Sequence, residues 1–144
     1  MTDEPPNLLP PPAIMLHMMT GYWGAQALYI AAKLGVADLL ADGPRPVEEL
    51  AAATQSHASS LYRLLRALAS VGVFSETSQR TFALTPMAEL LRAGIPGSMR
   101  ALAITYNEEM YQAWGHMLHS IQTGEPAFAH RFGMGPFPYF MQNP

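Results

Sequence analysis

The 144-residue chain contains no cysteine and few charged side chains. Without thiols, disulfides, thiolate metal sites and a thiol nucleophile are excluded. Charged residues make up 13% of the chain, against about 25% in average soluble domains. So few charges cannot cover the surface of a monomer well, and a contiguous exposed apolar area usually marks an interface. The composition therefore predicts an obligate oligomer or a piece of a larger protein.

Positive charge is also scarce. The net charge is −3, and the eight basic residues, seven of them arginine, are scattered singly. No positive field therefore attracts nucleic acid or an anionic membrane. Glycine and polar residues keep the longest apolar run short of the roughly 20 residues that a membrane helix needs. The first residues also lack the basic and apolar segments of a secretory signal. We therefore expect a cytoplasmic protein with no nucleic-acid or membrane partner.

The N-terminal third begins with a segment rich in proline. Residues 1–12 hold five prolines and two acids, and proline cannot donate a backbone hydrogen bond, so we expect a disordered arm. From Ala13 to Leu34 apolar residues recur at helical spacing, with Gly21 and Gly24 expected to weaken or bend the helix. Gly35 is expected to end it.

The centre of the chain has the pattern of a winged helix. Residues 47–53 predict a short helix, and a polar turn leads to a second helix that ends at Gly72. The apolar stripe of this second helix consists of Leu61, Leu64, Leu65, Leu68 and Val71. Two short helices joined by a tight turn make a helix-turn-helix, and apolar pairs on both sides of residues 75–81 predict a β-hairpin wing. Thr85 is then expected to cap a further short helix.

The C-terminal third predicts one long helix from Ser98 to Ile121, ended by Gly124. Its apolar face consists of Met99, Leu102, Ala103, Tyr106, Met110, Ala113, Trp114, Met117, Leu118 and Ile121. The tail that follows mixes aromatic residues with glycine and proline, which predicts short helical turns packed on another element. The predicted fold class is mainly α, a winged helix-turn-helix core with a small β-hairpin wing between long N- and C-terminal helices.

Several short phrases in a fixed order carry a resemblance to a known family. They are AAKLGVADLL at 31–40, VEELA at 47–51, LYRLLRAL at 61–68, GVF at 72–74, FALT at 82–85, WGHML at 114–118 and TGEPAF at 123–128. Together they resemble the N-terminal dimerisation region of small-molecule O-methyltransferases that use S-adenosylmethionine, of the plant and actinobacterial natural-product type. The similarity covers essentially the whole chain after residue 13.

The resemblance implies a division of the chain and a partner. Residues 1–12 would be the arm, residues 13–97 the dimerisation winged-helix domain, and residues 98–144 a long helix and aromatic segment that lead toward a missing cofactor-binding domain. The long helices would interlock with a second copy in an intertwined homodimer. The first helix would supply the dimer interface through Met15, Met18, Met19 and Trp23.

The resemblance also implies the reaction of the parent enzyme, which is transfer of a methyl group from S-adenosylmethionine to a hydroxyl of an aromatic or polyketide natural product. The missing domain would bind the cofactor and carry the catalytic histidine, so this chain alone is predicted to be inactive. It is expected to hold no catalytic, cofactor-binding or metal-binding residue. The wall of the substrate pocket would include Met110, Trp114, Phe128, Phe132 and Met134.

Other sites can be weighed from the residues themselves. Arg63, Arg66 and Arg80 could touch phosphate, but strong DNA binders neutralise roughly 6–10 phosphates. His116 and His119 are three apart on a predicted helix, but a catalytic metal needs a third ligand and an ordering second shell. The sequence therefore favours neither DNA nor metal.

Two functional alternatives stay open beside a piece of a methyltransferase. One is a stand-alone winged-helix regulator or small-ligand-binding protein. The other is a methyltransferase-like enzyme with different tailoring chemistry, because a fold alone does not determine a reaction. The final Asn143-Pro144 pair is typical of a turn, so we expect the parent protein to continue.

Overall fold

The structure of the protein, a computed structural model, describes residues 9–143. Its first part contains α1 (Pro11–Thr20), α2 (Tyr22–Lys33), α3 (Val36–Leu39), β1 (Arg45–Pro46), α4 (Val47–Ala53) and α5 (Ala58–Ser70). Its second part contains β2 (Phe74–Ser78), β3 (Thr81–Leu84), α6 (Pro86–Glu89), α7 (Arg100–Thr105), a π-helical turn (Tyr106–Met110), α8 (Tyr111–Gly115), α9 (Met117–Thr123), α10 (Ala127–Phe132) and α11 (Pro136–Gln142). The predicted fold class, mainly helical with a small antiparallel wing, is confirmed.

The core lies between the helix-turn-helix and the hairpin. Leu50 of α4 and Leu65 of α5 belong to the same buried cluster as Phe74 of β2 and Phe82 of β3. All four side chains are fully buried, and full burial of one such side chain contributes about 1.5–3 kcal/mol. These contacts hold the helix-turn-helix and the wing together as one unit.

Helix α5 buries a narrower stripe than the sequence predicted. Leu61, Leu65 and Leu68 are buried, and Leu64 is half-buried. Val71 is 64% exposed, because α5 ends one residue earlier and the chain has left helical geometry there. The assignment of Val71 to the buried stripe was therefore wrong.

The wing belongs to a sheet of three strands in the order β1–β3–β2, all antiparallel. Strand β1 was not predicted, since its two residues carry no alternating pattern of their own. Arg45 pairs with Phe82 and Pro46 pairs with Thr81. The sheet edge thus ties the residues before α4 to the hairpin that follows α5.

The predicted N-terminal helix is divided into α1 and α2. They are separated only at Gly21, whose φ of −55° and ψ of −29° stay close to helical values. Gly24 lies inside α2 and does not interrupt it. Gly35, with φ of +67°, follows α2 in the left-handed conformation and ends this run of helix as predicted.

The predicted long helix from Ser98 to Ile121 is not a single element. A five-residue π-helical turn separates α7 from α8, and His116, with φ of −100° and ψ of 11°, separates α8 from α9. Gly115 precedes that break, and glycine is a poor helix former. Gly124, with φ of +79°, ends α9 as predicted.

The last two residues of the predicted disordered arm, Pro11 and Pro12, belong to α1. Residues 1–8 of the expected arm lie outside the described residues, while α1 already begins at Pro11, where proline suits a first helical turn. Among residues 9–143, no helix has the length and apolar composition needed to cross a membrane.

Candidate functional site

An apolar cavity opens between the π-helical turn, α8, α9 and α10. It has a volume of about 240 Å³ and is lined by Met110, Ala113, Trp114, Met117, Ala127, Phe128 and Pro136. No lining residue carries a charge, and the walls are aromatic rings, thioethers and small side chains. We refer to it as the α8–α10 cavity.

The structure brings three of the five predicted pocket residues together in this cavity. Met110 comes from the π-helical turn, Trp114 from α8 and Phe128 from α10. Phe132 and Met134 do not line it. The Phe132 ring packs against the Phe128 ring, and Met134 follows the left-handed Gly133 at the end of α10.

Sequence reasoning did not assign four of the lining residues to the pocket. Helical spacing placed Ala113 and Met117 on the same apolar face as Trp114, but the predicted pocket did not include them. Ala127 and Pro136 carry no such signal, because their approach to α8 depends on how the aromatic tail folds back.

The tail folds back through a cluster of aromatic rings. The ring centroid of Phe128 lies 4.6 Å from Phe132, 5.5 Å from Tyr139 and 5.9 Å from Phe140. Aromatic pairs at these separations add about 0.5–1.5 kcal/mol beyond the burial of their area. Phe128 is thereby held as a rigid wall of the cavity, and only 7% of it is exposed.

The π-helical turn is fixed by contacts from α2. Gln26 Nε2 donates to the Asn107 carbonyl oxygen at 3.2 Å, and Lys33 Nζ lies 2.8 Å from Glu108 Oε2. The Glu108 hydrogen bond raises the pKa of Lys33 above its ordinary value of 10.5, with partial desolvation acting in the opposite direction. π-Helical turns inside helices occur frequently at functional sites, and this one places Met110 at the cavity.

A second apolar cavity lies between α2, α6 and α7 and is larger, at about 430 Å³. It is lined by Leu28, Val73, Met87, Leu90, Leu91, Met99, Leu102, Ala103 and Tyr106. Sequence analysis placed several of these residues on apolar helix faces but predicted no cavity there. We refer to it as the α2–α7 groove.

The four residues predicted for the dimer interface lie on the outside of α1 and α2. Met15, Met18, Met19 and Trp23 are between 58% and 74% exposed, and α1 contains no buried residue at all. An apolar helix with no buried face is not stabilised by the chain that carries it.

Three histidines converge beside the α8–α10 cavity. The rings of His119 and His130 stack with centroids 3.8 Å apart and planes 15° apart, and His116 lies 5.5 Å from His130. Nearly parallel stacked rings direct their nitrogens side by side and not toward one point. Among residues 9–143, no group of three or more histidine, aspartate or glutamate side chains is placed to hold a metal ion.

Two of the arginines that could touch phosphate contact other residues of the chain. Arg80 Nη2 lies 2.6 Å from Glu48 Oε1, and its guanidinium lies 4.5 Å from the centre of the Tyr62 ring. Arg63 donates to Ser60 Oγ at 3.3 Å. With Arg80 bound to the domain itself, the wing does not present a cation to phosphate.

The described residues do not fit S-adenosylmethionine. Gly133 ends α10 and Gly135 precedes α11. This pair of glycines, which could suggest a cofactor-binding loop, therefore joins two short helices. A nucleotide-type cofactor loop needs a buried strand before it and a helix after it, whereas residues 9–143 contain only one small antiparallel sheet. Residues 9–143 therefore contain no loop of the kind that binds a nucleotide-type cofactor.

Comparison with known proteins places this geometry in a family. A family model described as the O-methyltransferase dimerisation domain matches residues 16–94. The chain belongs to this family. The matched region runs from α1 to the loop after α6, and so includes the whole helix-turn-helix and the wing.

The relatives are longer proteins. The chain is 54% identical over 136 residues to the phenazine O-methyltransferase PhzM of Lysobacter antibioticus, covering 94% of this chain and 40% of that protein. It is 48% identical over 105 residues to the 8-amino-8-demethylriboflavin N,N-dimethyltransferase of Streptomyces davaonensis, covering 72% and 30%. The chain thus spans two fifths or less of the length of these relatives.

Solved structures agree with the fold. The crystal structure of LaPhzM superposes with a TM-score of 0.88 at 54% identity, over 93% of this chain and 40% of that one. Some related structures, those of CalO1 and NcsB1, hold S-adenosyl-L-homocysteine. These O-methyltransferase relatives therefore confirm the resemblance found in the sequence.

Proposed function

We propose that this chain is the dimerisation and acceptor-binding part of an S-adenosylmethionine-dependent methyltransferase that acts on a hydroxyl of a planar aromatic natural product. The observation that carries the proposal is the cavity walled by Met110, Trp114 and Phe128 in a chain of the O-methyltransferase dimerisation family. The 54% identical relative is a phenazine O-methyltransferase, so a fused aromatic ring system is the acceptor we assign.

The cavity walls suit such a ring. Trp114 and Phe128 offer flat faces to a planar molecule, and the thioethers of Met110 and Met117 adapt to its edges. No lining side chain can take a proton at neutral pH. The contribution of this chain is therefore burial and orientation of the acceptor, which places its hydroxyl for in-line attack on a methyl group.

The remaining chemistry belongs to polypeptide outside residues 9–143. That part would bind S-adenosylmethionine, which supplies an activated methyl group, and would hold the base that removes the hydroxyl proton. The parts of the chain then have separate roles. Residues 13–97 would form the dimerisation domain. Residues 98–144 would connect it to the cofactor-binding domain and form a wall of the acceptor-binding site.

The partner of this chain would be a second copy. The side chains of an apolar stripe are exposed to solvent and would be buried by a partner, namely Met15, Met18, Met19 and Trp23. Homodimers with closed symmetry are the commonest assemblies of soluble proteins. The family match supports this assignment, since it names a dimerisation domain and begins within α1.

The test uses the longer protein, extended through its cofactor domain. Trp114→Ala is expected to raise the KM for 1-hydroxyphenazine by about 10- to 150-fold, because burial of one large apolar side chain is worth about 1.5–3 kcal/mol. The Kd for S-adenosylmethionine should not change. Phe137→Ala is the matched control, since Phe137 is 84% exposed and does not line the cavity.

Two results would overturn the assignment. One is an unchanged KM in Trp114→Ala, and the other is a loss of cofactor binding in that variant. Offering 1-aminophenazine in the same assay separates hydroxyl from amine transfer, which matters because one relative is an N,N-dimethyltransferase. Preferential methylation of the amine would retain the cavity assignment and change the acceptor atom.

A further inference from the structure

The π-helical turn at Tyr106–Met110 lies where one apolar stripe passes from the first cavity to the second. Tyr106 lines the α2–α7 groove, and Met110, four residues later, lines the α8–α10 cavity. A turn closed by i→i+5 hydrogen bonds holds about one residue more than an α-helical turn. The residues after it are therefore rotated by about 100°, the angle of one residue, relative to an unbroken α-helix. The turn thus sets the direction of Met110 and Trp114.

The main chain of this turn departs from α-helical hydrogen bonding at Asn107. In an α-helix the Asn107 carbonyl oxygen would accept a hydrogen bond from the Tyr111 N–H. Here the Tyr111 N–H donates to the Glu108 carbonyl oxygen instead. The Asn107 carbonyl oxygen accepts from Gln26 Nε2 of α2, at 3.2 Å. The side-chain amide of Gln26 therefore takes the place of a main-chain donor.

We propose that Gln26 is a positioning residue for acceptor binding, which holds the turn in its π-helical form and so keeps Met110 and Trp114 at the cavity. The inference rests on the proposed function, because it requires the acceptor to occupy the α8–α10 cavity. Gln26 does not line that cavity. It therefore acts through the helix that carries the cavity wall and not by contact with the acceptor.

The hydrogen bond of Gln26 favours the π-helical form over the α-helical form. An α-helical turn would direct the Asn107 carbonyl to the Tyr111 N–H and leave the half-buried Gln26 amide without this partner, which is costly. Lys33 acts in the same direction, since its Nζ lies 2.8 and 3.2 Å from the two carboxylate oxygens of Glu108. Half of the Lys33 side chain is exposed, however, and exposed ion pairs contribute little. Gln26 is therefore the contact to test.

The test is a double-mutant cycle in the longer protein, extended through its cofactor domain. Gln26→Met keeps the length of the side chain and removes the donor. We expect it to raise the KM for 1-hydroxyphenazine about fivefold, the effect of one lost hydrogen bond, and to leave kcat and the Kd for S-adenosylmethionine unchanged. In a Trp114→Ala background the same substitution should raise the KM about twofold or less, because the ring that Gln26 positions is gone.

Thr54→Val is the matched control. Thr54 is half-buried at the end of α4, donates to the Leu50 carbonyl oxygen at 2.7 Å and does not line the cavity, so its loss should leave the KM unchanged in both backgrounds. If Trp114→Ala raises the KM but Gln26→Met does not, or raises it equally in both backgrounds, the positioning role is overturned and the acceptor site stands. If Trp114→Ala leaves the KM unchanged, both are overturned.

Discussion

The Arg100 guanidinium holds the Asp38 carboxylate, with 2.7 Å between Nη1 and Oδ2. Arg100 Nε also donates to the Ala32 carbonyl oxygen at 3.0 Å, near the end of α2. The other oxygen of Asp38 accepts a hydrogen bond from the Ala93 backbone N–H at 2.8 Å. These contacts therefore fasten the start of α7 to α2 and α3, and α7 contributes Leu102 and Ala103 to the α2–α7 groove.

Removing the guanidinium should destabilise the chain. In Arg100→Met we expect the free energy of unfolding to fall by about 1–2 kcal/mol, because the half-buried Asp38 loses a charged hydrogen-bond partner. Urea denaturation measures the change. Arg63→Met is the control, since Arg63 makes only one side-chain hydrogen bond on an exposed helix surface. A fall in Arg100→Met no larger than in Arg63→Met would show that the ion pair does not contribute.

Gly35 is required by the same arrangement. Its φ is +67°, and an added Cβ would come within 3.3 Å of Arg100 Nη2. Gly35→Ala should therefore cost about 1–2 kcal/mol for the left-handed backbone and displace the guanidinium in addition. Gly124→Ala, with φ of +79° and open space around it, should cost the backbone part alone.

A double-mutant cycle separates the two contributions. In an Arg100→Met background, the cost of Gly35→Ala should fall to that of Gly124→Ala, because the guanidinium is no longer there to displace. An equal cost of Gly35→Ala in both backgrounds would mean that the Arg100 guanidinium moves away from the added Cβ at no cost in stability.

The elements that the sequence predicted well are those with local causes. Gly35 and Gly124 end helices because the left-handed conformation suits glycine, and the helix-turn-helix follows from apolar spacing within α5. Strand β1 and the π-helical turn at Tyr106–Met110 were missed because their causes are distant. The first exists only through its pairing with β3, and the second is held by side chains of α2.

The same distinction holds for the candidate site. Met110 and Trp114 are four residues apart, so one helix face carries both into the cavity. Phe132 is likewise four residues after Phe128, but the short helix α10 packs Phe132 against Tyr139, with ring centroids 4.8 Å apart. That contact depends on where α11 lies, and helical spacing within α10 does not determine it.

Thr85 connects the wing to the short helix that borders the groove. Its Oγ1 donates to the Val73 carbonyl oxygen at 2.6 Å and accepts from the Ala88 backbone N–H at 3.2 Å. Thr85→Val keeps the shape and removes both bonds, so we expect a loss of about 1–2 kcal/mol. Thr85→Ser retains the hydroxyl and should lose much less in the same thermal or urea unfolding. A loss in Thr85→Ser as large as that in Thr85→Val would mean that the hydroxyl hydrogen bonds are not the main contribution of Thr85.

The ion pair of Glu48 and Arg80 predicts a pH dependence. The pKa of Glu48 is held below its ordinary value of 4.5, first by a hydrogen bond from its own backbone N–H and then by the Arg80 side chain. A carboxyl whose pKa is lowered on folding stabilises the folded state above pH 4.5. That contribution is lost as the pH falls through the lowered pKa.

The prediction can be checked by following the Glu48 side-chain carbon signal in an NMR pH titration. In Arg80→Gln the pKa should rise toward 4.5 but stay below it, because the backbone hydrogen bond remains. Arg131→Gln, which removes a cation that bonds Gln112, should leave the Glu48 pKa unchanged. A Glu48 pKa that does not move in Arg80→Gln would mean that the 2.6 Å contact is not kept in solution, and that Arg80 is then free to contact other anions.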